Sequence, residues 1–215
     1  MTRLSPLPPV HPKRQAAGGP QGGSGSNALL TPTAWHTIGP FFPVGFSEGL
    51  ADLTTAGTRG MPIRLTGRVL QEGGGPCVNA VLEIWQADAG GRFAHPRDPG
   101  WREADPAFRG WGRAATDAEG RFTFRTVMPG GYEDPAGTRA PHVNLAIIGS
   151  GIMRRLVTTV FFPGFPEANA RDPVLGCVPE GLRGLLVARE EEAGRFGIDV
   201  VLRGDEGVET PFFVD

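Results

Sequence analysis

The sequence is short of the side chains that most metal and nucleophile chemistry needs. Its 215 residues include one tyrosine, two cysteines and four histidines. No HxH pair, no Cys/His cluster and no HExxH motif occurs, which excludes the usual zinc sites. There is also no glycine-rich phosphate loop ahead of a helix and no G-x-S-x-G motif, which excludes nucleotide binding and serine-hydrolase chemistry.

Strong charge of one sign and long apolar runs are absent too. A net charge of −2 gives no electrostatic reason to expect nucleic acid or an anionic membrane as partner. No apolar run approaches the roughly 20 residues of a membrane-spanning helix, and the N-terminus lacks the apolar core of a signal peptide. Cys77 and Cys177 are compatible with one disulfide or with two free thiols. We expect a soluble cytoplasmic protein.

Residues 1–27 differ from the rest of the chain in composition. They are rich in Pro, Gly, Ser and Gln and have too few apolar groups to offset the entropy of ordering. We predict a disordered tail there, followed by one domain over residues 28–215, a length that suits a single core. Arg3, Lys13 and Arg14 leave a basic binding arm open as the alternative to a solvated tail.

Strand-like runs dominate the predicted domain. Short apolar or alternating segments between Gly- and Pro-rich turns predict an all-β fold, an antiparallel β-sandwich. Leu29 to Phe46 is aromatic but broken by prolines, which predicts an extended arm. Residues 49–60 indicate a linker or short helix, and 179–194 the one short helix of the domain. The predicted strands are 63–70, 80–88, 120–127, 142–148, 155–162, 196–204 and 210–215.

The stretch from Pro129 to Ser150 carries the candidate chemistry. It holds the single tyrosine, Tyr132, followed by Arg139, His142 and Asn144. Because HVNLAII is typical of a strand, His142 and Asn144 lie two residues apart on the same face. Together with Tyr132 and Arg139 from the loop just before, these two residues would line one pocket. That arrangement is typical of a metal or anion site. A buried His142 that hydrogen bonds to Asn144, Tyr132 or a backbone carbonyl is the structural alternative, and we prefer it.

The same stretch resembles the iron-binding segment of the intradiol ring-cleaving dioxygenases, in particular the two-chain protocatechuate 3,4-dioxygenases. That family carries P-G-x-Y and then R-P-x-H-x-H, and PGGY and RAPHVN match it at Tyr132, Arg139 and His142. The segments TIGP, EIWQADAGGRF and DPVL resemble further family blocks, so the similarity extends from Thr33 to the C-terminus. The resemblance implies a prealbumin-like β-sandwich and a ferric ion that is held by two tyrosines and two histidines.

Two of those four ligands are missing from this sequence. Asn144 stands in the place of the second histidine, and a neutral amide is a weak ligand for a ferric ion. Gly100 stands in the place of the first tyrosine, and the indole N–H of the next residue, Trp101, cannot ligate iron. We therefore predict no metal ligand and no catalytic residue in this chain. The vestigial pocket would consist of Tyr132, Arg139, His142 and Asn144.

The TIGP segment resembles a T-x-G-P-[YF] element of the family. The two-chain enzymes of the family have an α chain without metal and a β chain with the active site. The resemblance implies that this element of the α chain reaches that active site. Thr37, Gly39 and Pro40 would then form part of the substrate-binding wall. The alternative is a tight turn that Phe41 and Phe42 anchor.

The resemblance as a whole implies an α chain that is inactive without its β partner. The β chain would hold Fe³⁺, and the α/β oligomer would use O₂ to cleave protocatechuate to 3-carboxy-cis,cis-muconate in the β-ketoadipate pathway of aromatic catabolism. Ser150 replaces a family arginine, which puts carboxylate recognition in doubt. Three alternatives stay open: a self-sufficient dioxygenase, a non-catalytic prealbumin-like binding or regulatory sandwich, and a subunit for another catechol such as hydroxyquinol.

Other polar residues are assigned structural roles. Glu83 and Asp88 lie five apart on a predicted strand, on opposite faces, which disfavours an acid/base pair. Trp85 is predicted to be a core aromatic. His36 is predicted to face solvent or to cap, with a contact to substrate or partner as the alternative, and His95 is predicted to be structural.

Overall fold

The computed structural model describes Thr37, Gly39 and residues 49–213 apart from Asn79 and Glu206. The described residues form ten strands, two short α-helices and three 3-10 helices. The strands are β1 (Pro62–Leu70), β2 (Val81–Trp85), β3 (Trp111–Ala115), β4 (Arg121–Val127), β5 (Tyr132–Asp134), β6 (Gly137–Arg139), β7 (His142–Ile148), β8 (Leu156–Phe161), β9 (Arg189–Glu192) and β10 (Arg195–Val201). The α-helices are α1 (Pro166–Arg171) and α2 (Pro173–Gly176), and the 3-10 helices are Glu72–Gly74, Trp101–Glu103 and Glu180–Leu186.

The strands form two four-stranded sheets and a small hairpin. One sheet has the order β4-β1-β10-β9 and the other β3-β2-β7-β8, while β5 and β6 pair with each other. All these pairs are antiparallel except β1 with β10. The predicted antiparallel β-sandwich is confirmed, with this parallel pair as the departure. The segment from β8 to β9, which contains both α-helices, is one of the connections that cross from one sheet to the other.

Alternation along the strands places the core between the sheets. In β4, Phe122 and Phe124 point inward while the arginines on either side are exposed. In β7, Val143, Leu145 and Ile147 are fully buried. These residues share one cluster of buried apolar side chains with members of both sheets. Because side chains alternate along a strand, His142 and Asn144 lie on the same face of β7, as predicted, and the structure shows that this is the outer face.

The predicted helix over 179–194 is wrong. A 3-10 helix occupies Glu180–Leu186, and the edge strand β9 follows it. Two internal glycines, Gly181 and Gly184, lower the α-helix propensity here, and Leu186 is fully buried against the neighbouring strand end.

Two other predicted elements can be compared with the structure. Residues 49–60 contain turns and two isolated bridges, which agrees with the predicted linker and not with its alternative, a short helix. In the predicted strand 210–215, Phe213 alone makes a bridge, to Val157, and residues 214–215 lie outside the described part of the chain. The predicted tail is also outside it, so the division at residue 28 stays a prediction. None of the described helices has the length and apolar character that a membrane crossing requires.

Candidate functional site

The hairpin of β5 and β6 brings three of the predicted site residues together. Tyr132 and Arg139 are directly opposed across the hairpin, and β7 begins at His142. The Tyr132 hydroxyl lies 3.4 Å from Nε2 of His142. The guanidinium carbon of Arg139 lies 5.9 Å from the centroid of the Tyr132 ring. Phe93 packs edge-on against the other side of that ring, at 5.1 Å between centroids.

Backbone geometry determines which tautomer His142 adopts. Its Nδ1 lies 2.6 Å from the carbonyl oxygen of Ala140. A carbonyl only accepts hydrogen bonds, so Nδ1 carries the proton and Nε2 presents its lone pair to the Tyr132 hydroxyl. The predicted structural role of His142, bonded to a backbone carbonyl and to Tyr132, agrees with this geometry.

Burial keeps both of these groups uncharged. His142 is 3% exposed, and burial, with a smaller effect from the Arg139 charge, lowers its pKa to about 4. Burial likewise raises the pKa of Tyr132 to about 12. At neutral pH the pair is therefore a phenol beside a neutral imidazole, because a low-dielectric surrounding disfavours the charged forms.

Arg139 is committed to ion pairs. Its Nε donates to Oδ2 of Asp172 at 3.0 Å, and its guanidinium also contacts Asp134 at 3.3 Å. Asp172 has no exposed side-chain surface, and its Oδ2 also accepts the N–H of Ala140 at 2.9 Å. The backbone N–H groups of Val174 and Leu175 donate to its Oδ1.

Asp172 is the site residue that reasoning from the sequence missed. It caps the N-terminus of α2, and Pro173 occupies the first helical position. An Asp-Pro pair ahead of a short apolar run is a recognised helix start, so the local signal existed. Its partner Arg139 is 33 residues away in sequence, and no local pattern connects the two.

The other two positions that the resemblance assigns to iron ligands are occupied by Asn144 and Gly100. Asn144 accepts a hydrogen bond through Oδ1 from the Thr159 hydroxyl at 3.1 Å. At Gly100, a β-carbon would lie 2.8 Å from the Cζ and Nε atoms of Arg92. Arg92 forms ion pairs with Asp98 and Glu103. A tyrosine at position 100 would therefore have to displace this guanidinium.

The ferric ion that the family implies does not fit these residues. One imidazole and one phenol are available as donors, and an arginine lies over the phenol ring. Among the described residues no group of three or more His, Cys, Asp or Glu side chains could hold a metal ion. A hard cation such as Fe³⁺ requires anionic oxygen ligands in addition to imidazole. The arrangement is a closed, hydrogen-bonded cluster and not an open coordination site.

Glu83 and Asp88 do not form an acid/base pair. Glu83 forms an ion pair with Arg113 across β2 and β3. Asp88 organises a turn, in which it accepts the N–H groups of Gly90, Arg92 and Asp105. Both carboxylates are therefore structural.

The prediction that Trp85 is a core aromatic is wrong. Its side chain is 37% exposed on the outer face of β2, because Leu82 and Ile84 take the inward positions. His95 contacts the edge of the Trp85 ring. His36 lies outside the described residues. Cys77 and Cys177 are both free thiols.

The predicted wall residues are described only in part. The Thr37 hydroxyl bonds to the turn between β7 and β8. Gly39 is exposed, and among the described residues no atom lies within 4 Å of the place where a β-carbon would lie. Pro40 lies outside the described residues, so these positions keep their predicted role without a test from the structure.

Comparisons with known proteins give a consistent result. A family model described as "Dioxygenase" matches residues 44–204. The chain is 42% identical over 155 residues to a protocatechuate 3,4-dioxygenase beta chain of Burkholderia cepacia, an alignment that covers 67% of this chain and 66% of that one. It is 36% identical over 200 residues to the corresponding alpha chain of Burkholderia cepacia, an alignment that covers 86% of this chain and 98% of that one.

Solved structures are similar as well. The dioxygenase domain of a dioxygenase carbohydrate-binding protein fusion from Streptomyces sp. SirexAA-E superposes with a TM-score of 0.54 at 27% identity. That superposition covers 84% of this chain and all of the other domain. This chain therefore shares its two-sheet fold with that dioxygenase domain.

Proposed function

This chain belongs to the intradiol ring-cleaving dioxygenases, a family of iron-dependent enzymes, and on that premise we propose that it is the non-metal α chain of a two-chain protocatechuate 3,4-dioxygenase. Its partner would be a homologous β chain that holds the Fe³⁺. The pair would carry out O₂-dependent cleavage of protocatechuate to 3-carboxy-cis,cis-muconate. Higher α/β oligomers would be assembled from such pairs.

The donor set of the pocket is the observation that carries this proposal. Tyr132 and His142 occupy two of the four ligand positions of the family, and Asn144 and Gly100 occupy the others. With Arg139 paired to buried Asp172, the pocket has been stabilised as a packed cluster. An enzyme of an iron-dependent family that cannot hold the metal in this chain needs a second chain to supply it.

The extent of the similarity supports the α assignment over the β assignment. The β chain is the more identical of the two relatives, at 42%, but the alignment reaches only 66% of its length. The alignment with the α chain reaches 98% of that chain. Because the α and β chains of such an enzyme are homologous, an α chain is expected to resemble a β chain as well. The match over nearly the full length of the α chain is what distinguishes the two assignments.

The contribution of this chain to the reaction would be positional. Thr37, Gly39 and Pro40 would close one side of the pocket of the partner, which excludes water and restricts the orientation of the bound catechol. No atom in the described part of this chain lies within 4 Å of a β-carbon placed on Gly39, so we expect another chain to approach its backbone closely. Tyr132, Arg139, His142 and Asn144 would take no part in the chemistry.

Reconstitution tests this proposal. This chain is purified alone and in complex with a β chain that carries both tyrosines and both histidines, and oxygen uptake is measured with protocatechuate, catechol and hydroxyquinol. We expect no turnover by the lone chain and efficient turnover of protocatechuate by the pair. Turnover by the lone chain would show a self-sufficient enzyme, and a β chain that neither binds this chain nor gains activity from it would favour a non-catalytic binding module. If the pair preferred hydroxyquinol, the proposed substrate would be wrong, but the proposed two-chain organisation would stand.

A further inference from the structure

The hydroxyl of Thr37 connects two distant parts of the chain. It donates a hydrogen bond to the carbonyl oxygen of Gly149 at 3.2 Å and accepts one from the N–H of Gly151 at 2.7 Å. The two bonds lie on either side of Ser150, in the turn between β7 and β8. One side chain near the N-terminus therefore bonds to both flanks of a turn that is more than 110 residues away.

Hydrogen bonding and packing hold the Gly149–Gly151 turn in a fixed position on the domain. The N–H of Ile152 donates to the carbonyl oxygen of Gly149 at 3.1 Å, and the Ile152 side chain packs against the main core. Gly151 has a φ of +83°, a conformation that favours glycine. The turn is thus closed by its own hydrogen bond and anchored in the sandwich, so a group bonded to it takes a fixed position relative to the domain.

The bonding of the hydroxyl limits what else it can do. A threonine hydroxyl has one proton to donate, and here the Gly149 carbonyl receives it. The hydroxyl therefore has no proton left for a catechol or for a second chain. Gly39, two residues further on, is exposed, and no other described residue crowds it, which suits the residue that makes the approach to a partner.

We propose that Thr37 is a positioning residue: its hydroxyl fixes the chain at Thr37 to the Gly149–Gly151 turn, so that Gly39, two residues further on, reaches the pocket of the partner chain from a fixed base. This inference rests on the proposed function and changes the predicted role of Thr37 from a substrate contact to an internal tie. When both hydrogen bonds of the hydroxyl are formed, Gly39 is held in its productive position before substrate arrives. When they are lost, Gly39 is in place in only a fraction of the molecules at any moment, which weakens apparent substrate affinity by that fraction.

The test compares Thr37→Val, which has the same shape without the hydroxyl, with Thr37→Ser, which retains it. Amide hydrogen exchange of Gly151 is measured in the lone chain. We expect exchange roughly tenfold faster in the valine variant, because the amide loses its acceptor, and near-normal exchange in the serine variant. The Leu145 amide, in the middle of β7, reports global opening and should be unchanged in both.

Steady-state kinetics of the reconstituted pair complete the test. Thr37→Val should raise KM for the catechol roughly tenfold and leave kcat within about twofold, and Thr37→Ser should restore KM. Unchanged exchange at Gly151, or a fall in kcat with KM unchanged, would overturn the inference while the proposed function stands. An inactive wild-type pair would remove both.

Discussion

Replacing Asp172 with alanine should lower the free energy of unfolding by about 3–5 kcal/mol, because removing one partner of a buried ion pair leaves an uncompensated charge. The Asp172 carboxylate accepts four hydrogen bonds, from Arg139, Ala140, Val174 and Leu175. The substitution would therefore also leave buried donors unsatisfied and remove the cap of α2. Denaturant unfolding of the lone chain measures the loss.

Asp199 provides the matched control for this substitution. Its carboxylate also contacts two arginines, Arg68 and Arg189, but its side chain is 28% exposed. Asp199→Ala should cost no more than about 1 kcal/mol, as exposed ion pairs do. The double variant Asp172→Ala with Arg139→Met should recover part of the lost unfolding free energy, because the second substitution removes the unpaired guanidinium. Equal effects of the two single alanine substitutions would show that the buried pair does not stabilise the site.

His142 should make the protein less stable in mild acid. Its folded pKa is lowered to about 4 by burial, below the value of about 6.5 for an unfolded histidine. Above about pH 6.5 both states are neutral and the group has no effect. As the pH falls from about 6.5 to about 4, the unfolded state binds a proton that the folded state excludes, so stability is lost. The loss by pH 4 should be about 3 kcal/mol.

Carboxylates also titrate in this range, so the test is a difference between variants. Unfolding free energies are measured from about pH 7 to pH 4 for the wild type and for His142→Asn. Asparagine at position 142 can still donate to the Ala140 carbonyl but has no titrating group. The loss of stability over this range should be smaller by about 3 kcal/mol in the variant. Parallel curves for the two proteins would contradict the buried neutral histidine.

The sequence predicts the strands that alternate between apolar and polar residues. Phe122 and Phe124 in β4 and the apolar residues of β7 follow the period of two, and those strands were placed within one or two residues. Four strands were missed, β3, β5, β6 and β9. The sequences of β5 and β6, YED and GTR, have no apolar face to bury, and β9 lies within the segment 179–194 that was predicted to be a helix. The parallel pairing of β1 with β10 is a tertiary result that no local pattern specifies.

In the site, too, the features set by neighbouring residues could be predicted from the sequence, whereas contacts between residues far apart in sequence could not. The spacing of His142 and Asn144, and the loop that carries Tyr132 and Arg139, are local features, and the structure brings Tyr132, Arg139 and His142 together as predicted. The partner of Arg139, Asp172, comes from a different element. The occupation of the space beside Gly100 by Arg92 depends on a loop conformation. These long-range contacts explain why the pocket is a packed cluster and not merely a site with missing ligands.

Iron analysis of the lone chain and of the reconstituted pair tests the central claim most directly. Each preparation is exposed to ferric salt, desalted, and assayed for iron by mass spectrometry and for the visible absorption of tyrosinate bound to iron. Because the donors near Tyr132 and His142 are too few for Fe³⁺, the account predicts negligible iron in the lone chain and about one iron per α/β pair. Stoichiometric iron with tyrosinate absorption in the lone chain would contradict it.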